Sequence, residues 1–228
     1  MPENEKALLR IEHMTKQFPV KQTMFEIIAR RPCRYVRAVD DVSFAIMRGE
    51  TVGLVGESGC GKSTLAKTLS RLYTPDGGKV LFEGVDVFAM DSKALQHARF
   101  KMQMVFQDPY SSLNPRMTVR QMFYEVLGVH KLCPREQREA VCQETLDLVG
   151  LDKGALDRFP GQFSGGQRQR ISIARALMMK PELLVADEPV SALDVSIQAQ
   201  VINLLIELKD TLNLTMLFIS HDLRVIRY

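Results

Sequence analysis

One nine-residue stretch constrains this chain more than any other: Gly56-Glu57-Ser58-Gly59-Cys60-Gly61-Lys62-Ser63-Thr64. It follows an apolar run, Val52 to Val55, and leads into Leu65-Ala66-Lys67-Thr68-Leu69. That order reads as a strand, a glycine turn and the start of a helix. Glycines allow a tight turn with N–H groups facing inward, and the helix beginning near Lys62 adds its own free N–H groups and positive dipole end. Together these make a concave seat for phosphate oxygens. Lys62 is placed to reach β- and γ-phosphates, and the Ser63 hydroxyl to ligate Mg²⁺. The competing reading is a glycine-rich turn without ligand, against which the flanking strand and helix weigh.

The 228 residues are enough for an independent core, and 46% hydrophobic with 25% charged residues is the balance of a globular protein. A net charge of +3 does not by itself imply nucleic acid. No run of 18 apolar residues exists, so no membrane-spanning helix is expected. The start, Met1-Pro2-Glu3-Asn4-Glu5-Lys6, is polar and lacks a secretory signal core. Four cysteines (Cys33, Cys60, Cys133, Cys142) without C-x-x-C spacing fit a reduced protein and support neither zinc nor disulfides.

Residues 7–18 read as a strand, followed by an irregular piece to about residue 37 that carries Arg30, Arg31, Arg34 and Arg37. That piece is either a solvated loop or a contact for anionic lipid head groups or a membrane subunit. Val42 to Ile46 alternates as a strand, and Val80 to Phe82 is a short one after a turn at Thr74–Gly78. Lys101 to Phe106 is another strand, ending on Gln107. From Ser111 to about Phe159 the spacing becomes helical (Val119, Met122, Phe123, Val126, Leu127), and Pro134 opens a charged helix. The stretch Gln162 to Gln167 begins a further helix that runs on through Arg168 to Leu177. Leu183 to Ala186 suits a parallel strand buried on both faces. Asp194 to Lys209 is an amphipathic helix, and Met216 to Ser220 is the last strand.

Four apolar strands therefore end on chemically capable residues: the glycine loop, Gln107, Asp187-Glu188 and His221. In open parallel sheets, ligands sit beyond the carboxyl ends of the strands, so the four can converge on one nucleotide. Asp187 would hold Mg²⁺. Glu188 would polarise the attacking water as a base. Gln107 can offer its carbonyl to Mg²⁺ and sense the γ-phosphate, and His221 can contact that phosphate and orient the water. A core histidine and a helix-capping acidic pair are the plainer alternatives. Ser164-Gly165-Gly166-Gln167 is a second glycine turn before a helix, about a hundred residues beyond the first, and one chain is not expected to fold both loops onto one nucleotide.

These motifs, in this order and across essentially the whole chain, resemble the nucleotide-binding subunits of ABC transporters, nearest the ATPase subunits of bacterial oligopeptide/dipeptide importers. The Walker A loop is Gly56 to Thr64, and the Q-loop region runs from Val105 through Gln107 to Val119. The signature is Phe163-Ser164-Gly165-Gly166-Gln167, with Phe163 in place of the commoner leucine. Walker B is Leu183 to Glu188, the D-loop Ser191-Ala192-Leu193-Asp194, and the switch histidine His221. The subgroup rests on Ser111-Ser112-Leu113-Asn114-Pro115 and Val190 to Ser196. The resemblance implies an α/β P-loop NTPase core, a mainly parallel sheet flanked by helices, with an antiparallel β portion and an inserted helical subdomain. It also implies one domain over 1–228, with the core and antiparallel part at about 1–92 and 171–228 and the helical part at about 93–170. It implies ATP and Mg²⁺, with Phe18 as the adenine-stacking aromatic and Tyr35 as a weaker candidate.

The implied activity is ATP hydrolysis at the cytoplasmic face of the membrane, driving peptide or small-solute uptake through separate permease subunits that face about Asp108 to Phe123. A periplasmic or extracellular solute-binding protein would act indirectly. A head-to-tail pair of cassettes would share two ATP molecules, each between one Walker A loop and the partner's signature. The chain stops seven residues past His221, where the resemblance implies further strands, helices and a C-terminal extension, so a truncated chain is expected. The rival, a soluble ABC ATPase working on nucleic acid or ribosomes, calls for a long coiled coil between the glycine motifs or two such domains. No nucleic-acid partner is expected.

Overall fold

The computed structural model describes residues 7–108 and 112–223, so Met1–Lys6, Pro109–Ser111 of the Q-loop region and the last five residues lie outside it. The strands are β1 (Ala7–Pro19), β2 (Tyr35–Met47), β3 (Thr51–Val55), β4 (Gly77–Phe82), β5 (Val85–Asp86), β6 (Met102–Val105), β7 (Leu183–Asp187) and β8 (Thr215–Ser220). The helices are α1 (Met24–Ile28), α2 (Lys62–Leu69), α3 (Ser92–Lys101), α4 (Val119–Val129), α5 (Arg138–Leu148), α6 (Gly165–Leu177) and α7 (Val195–Leu212).

Two sheets form. One is antiparallel, in the order β2-β1-β4-β5, and the other is parallel, in the order β3-β8-β7-β6. The parallel sheet divides two cores. Successive side chains of a strand point to opposite faces. Leu183 and Val185 of β7, with Leu217 and Ile219 of β8, face the antiparallel sheet and α2. Leu184 and Ala186, with Met216 and Phe218, face α4 to α7. A strand buried on both faces needs apolar residues at every position, and β7 is buried throughout. At the opposite end from the glycine loop, Arg48 and Lys101 bridge Glu83 and Glu182, with Lys101 Nζ 2.9 Å and 2.8 Å from the two carboxylates. Burial works to raise the Glu182 carboxyl, but the hydrogen bonds from Lys101 and Arg48 outweigh it and hold the group low.

Several segments differ from the sequence reading. The piece before residue 37 holds α1, and β2 begins at Tyr35 rather than Val42. Helix α3 carries only one buried residue, Ala98, so hydrophobic periodicity could not reveal it, although Asp91 caps it by accepting from the Ala94 N–H (2.7 Å). Strand β6, Met102–Val105, is shorter than the Lys101–Phe106 read as a strand, and it pairs in parallel with β7. After Pro134 the chain makes one tight 3₁₀ turn, Arg135–Gln137, before α5.

Candidate functional site

The carboxyl ends of β3, β8, β7 and β6 point the same way because all three pairings are parallel. The residues that follow them meet. Lys62 opens α2 and is buried. Its Nζ donates to the carbonyls of Gly56 and Glu57 (2.8 Å each) and lies 3.6 Å from Glu188 Oε1. Gln107 Nε2 donates to Glu188 Oε2 (2.9 Å), and His221 Nδ1 is 3.3 Å from the same oxygen. Glu188 is thus the point on which three residues from three strand ends converge. Its φ of +46° is a conformation few non-glycine residues adopt. Its carbonyl accepts from the Ser191 hydroxyl (3.1 Å), which fixes the turn after Pro189.

Beside it, Asp187 is buried and accepts from Ser63 Oγ (3.0 Å). Burial pushes its carboxyl above the usual range, with the Ser63 hydrogen bond working the other way. A desolvated carboxylate paired with a hydroxyl on a helix start is a donor set that a small hard cation fits.

The glycine loop is shaped for contact with anions. Gly59 and Gly61 have φ of +82° and +101°, and a Cβ on Gly61 would sit 1.8 Å from the Ala38 carbonyl oxygen. No side chain caps α2, so its first N–H groups stay available. Glu57, Ser58, Gly59 and Cys60 are exposed, and Gly56 and Thr64 are partly so. A cavity of about 420 Å³ opens beside them, lined by Ser58, Gln107, Asp108, Glu188, Ser191 and His221. Ser191, read from the sequence as the first residue of the D-loop but given no role at the nucleotide, lines this cavity.

The second glycine turn is separately built. Ser164 caps α6: its Oγ accepts from the Gln167 N–H (3.3 Å), and Gln167 Oε1 accepts from the Ser164 N–H (3.1 Å). Gly165 backs onto Leu193, just before α7, and Gly166 onto Ile197 in its first turn. Phe18 ends β1, with its ring T-shaped to Tyr73 (5.3 Å between centroids) and Lys16 Nζ 5.3 Å from its centre. Tyr73 and Lys16 gave no signal in the sequence. Tyr35 pairs with Pro19 and is exposed.

Residues 39–191 match the ABC transporter family. The chain is 50% identical over 226 residues to the oligopeptide transport ATP-binding protein AppF of Bacillus subtilis, covering 99% of this chain and 68% of that protein. It is 47% identical over 224 residues to the dipeptide transport ATP-binding protein DppF of Escherichia coli, covering 98% of this chain and 66% of that one. The chain thus spans about two thirds of the length of these relatives. Among solved structures, the dimeric structure of MJ0796, a bacterial ABC transporter cassette, superposes with a TM-score of 0.79 at 28% identity over 96% of this chain and 90% of that one. The same cassette in a post-hydrolysis dimer bound to ADP and Pi matches equally well.

Proposed function

Because the chain belongs to the ABC transporter family and carries its ATPase cassette, we propose that it is the ATP-binding subunit of a peptide importer. It works at the cytoplasmic face of the membrane, with a second cassette and separate permease subunits as partners. No helix among the described residues is long and apolar enough to cross a membrane, so the conduit would come from those subunits. The observation that supports the reading most is the convergence of Lys62, Gln107 and His221 on Glu188 at the ends of parallel strands.

The backbone N–H groups of Gly59 to Lys62 and the start of α2 seat the phosphates of ATP. Lys62 turns from its loop carbonyls toward the β- and γ-phosphates. Phe18 offers its ring to the adenine. Ser63, Asp187 and Gln107 would hold Mg²⁺, which when bound neutralises charge between the β- and γ-phosphates. Glu188 accepts the proton of the attacking water as the new P–O bond forms. The bond to the leaving ADP breaks, and its electron pair stays on ADP. His221 and Gln107 hold Glu188 and the water in line. Ser164, Gly165, Gly166 and Gln167 of a second cassette would close over the same phosphate. A 670 Å³ groove between α3, β6 and the helices α4 and α6, lined in part by Phe106 and Val126 on either side of the stretch Asp108 to Phe123, would add to that stretch in the surface offered to the permease.

The test is reconstitution with peptide-permease subunits in vesicles. ATP should drive peptide uptake, and Glu188→Gln should keep ATP binding while lowering turnover by ~10²–10⁴-fold. Normal turnover in that variant, or hydrolysis that responds to nucleic acid and never to peptide, would overturn the reading.

A further inference from the structure

Beyond Phe18 and Tyr35 at its base, the hairpin between β1 and β2 has no part in the site above, yet it is a defined structure. Thr23 and Glu26 form a capping box on α1. The helix ends in a Schellman pattern, with Arg31 N–H donating to Glu26 O (3.0 Å) and Arg30 N–H to Ile27 O (3.0 Å). Val20 N–H donates to Arg34 O (2.8 Å) and Gln22 Nε2 to Arg31 O (2.7 Å), which closes the base. The pairs Phe18–Val36 and Pro19–Tyr35 continue the β1–β2 ladder into it.

These bonds hold apolar side chains outward. None of the α1 residues is buried: Phe25 is 85% exposed, Ile28 75%, Met24 74% and Ile27 55%. Tyr35 and Val36 extend the patch. Around it stand Lys21, Arg30, Arg31, Arg34 and Arg37. The single carboxylate, Glu26, is taken up by Thr23 and by Arg34 at 3.2 Å. Arg30 and Arg31 make no ion pair with another described residue. Five cations against one carboxylate give residues 20–37 a charge of +4. That exceeds the +3 of the whole chain, so the other residues together carry −1.

We infer that this hairpin is a membrane-surface anchor, with its apolar turn entering the interface of an anionic bilayer and its arginines meeting lipid phosphates. Met24, Phe25, Ile27 and Ile28 fall on one side of the turn and Glu26 on the other, the two-sided arrangement of a helix that lies in an interface plane. The cations bracket the turn at both ends, which suits a sheet of like-charged head groups better than one acidic partner residue. The two elements together, apolar insertion and a basic collar, are what reversible anchoring requires. The inference does not depend on the peptide reading, since none of the residues it uses holds phosphate or Mg²⁺ in that reading.

The chain has no tryptophan, so Phe25→Trp supplies a single fluorophore. With vesicles of phosphatidylcholine containing phosphatidylglycerol, its emission should move to the blue, and with phosphatidylcholine alone it should not. Sedimentation of the unaltered chain should show binding to the anionic vesicles that high salt reverses. Arg30→Gln with Arg31→Gln should weaken it by about tenfold or more. Phe25→Ser with Ile28→Ser should lower it to the level of neutral vesicles. As no α1 residue is buried, these variants should melt with the unaltered chain. Equal binding to neutral and anionic vesicles, an unchanged emission, or hairpin variants that bind as the unaltered chain does would each overturn the inference. So would hairpin variants that leave vesicle binding intact but fall away from reconstituted permease, since the surface would then be a protein contact. The vesicles hold neither permease nor peptide, so failure here leaves the importer reading standing.

Discussion

The chain has two glycine turns, each leading into a helix, and they are built to opposite ends. The first, Gly56 to Thr64, leaves α2 without a side-chain cap and spends left-handed glycines to bring its backbone close to Ala38. The second, Ser164 to Gln167, satisfies its own helix start through a reciprocal capping box and sits on Leu193 and Ile197. An uncapped helix start is a standing seat for an anion, whereas a capped one is complete without it. The first loop is therefore equipped to bind a nucleotide within its own chain. The second keeps its shape unaided and is free to be presented to a neighbour.

Changes at the first loop, and at the carboxylate it bonds through Ser63, should be costly. Asp187→Asn removes the buried carboxylate beside Ser63 and should abolish Mg-dependent hydrolysis, by at least ~10²-fold, if that group holds the cation. The same change should raise the melting temperature of the chain in buffer without nucleotide. Burial holds this carboxyl above its ordinary range, so its contribution to stability is present at low pH and lost as pH rises through the raised value. At neutral pH the charged form is a cost that asparagine removes. Lower activity together with lower stability would contradict that account.

Gly61→Ala puts a Cβ against the Ala38 carbonyl at a positive φ, and nucleotide affinity should fall by roughly 100-fold in a binding titration, about 3 kcal/mol. Gly161, near the second turn, has nothing within 4 Å of its Cβ position, and Gly161→Ala should leave both binding and melting unchanged. Equal sensitivity at the two positions would erase the contrast. The smallest effect is expected from Ser164→Ala, which deletes the α6 cap. It should cost about 1 kcal/mol of stability in denaturant unfolding while leaving nucleotide binding by the single chain unchanged.

Much of this was legible in the sequence. β7 could be read because burial on both faces demands an unbroken apolar run, and the residues after each strand end stood out by their chemistry. α1 and α3 could not be read by periodicity, since α1 buries nothing and α3 buries only Ala98. The extent of β2 was hidden because its first half, beginning at Tyr35, is largely exposed and carries Arg37, Asp40 and Asp41. Tyr73 and Lys16 reach Phe18 only through the fold, from the loop after α2 and from two residues earlier on β1. The meeting of Gln107, Glu188 and His221 was expected from parallel strand ends, but the direct contact of Lys62 with Glu188 depends on the loop folding back over its own carbonyls.

The division of labour between the two loops is tested most directly by sedimentation of the chain carrying Glu188→Gln, which should hold ATP without turning it over. With Mg-ATP its mass should double, and without nucleotide it should not. Adding Ser164→Arg should abolish the doubling while each monomer still binds ATP. If Ser164→Arg instead removes ATP binding from the folded monomer, or leaves the ATP-dependent dimer intact, the second loop does not serve a neighbour's nucleotide.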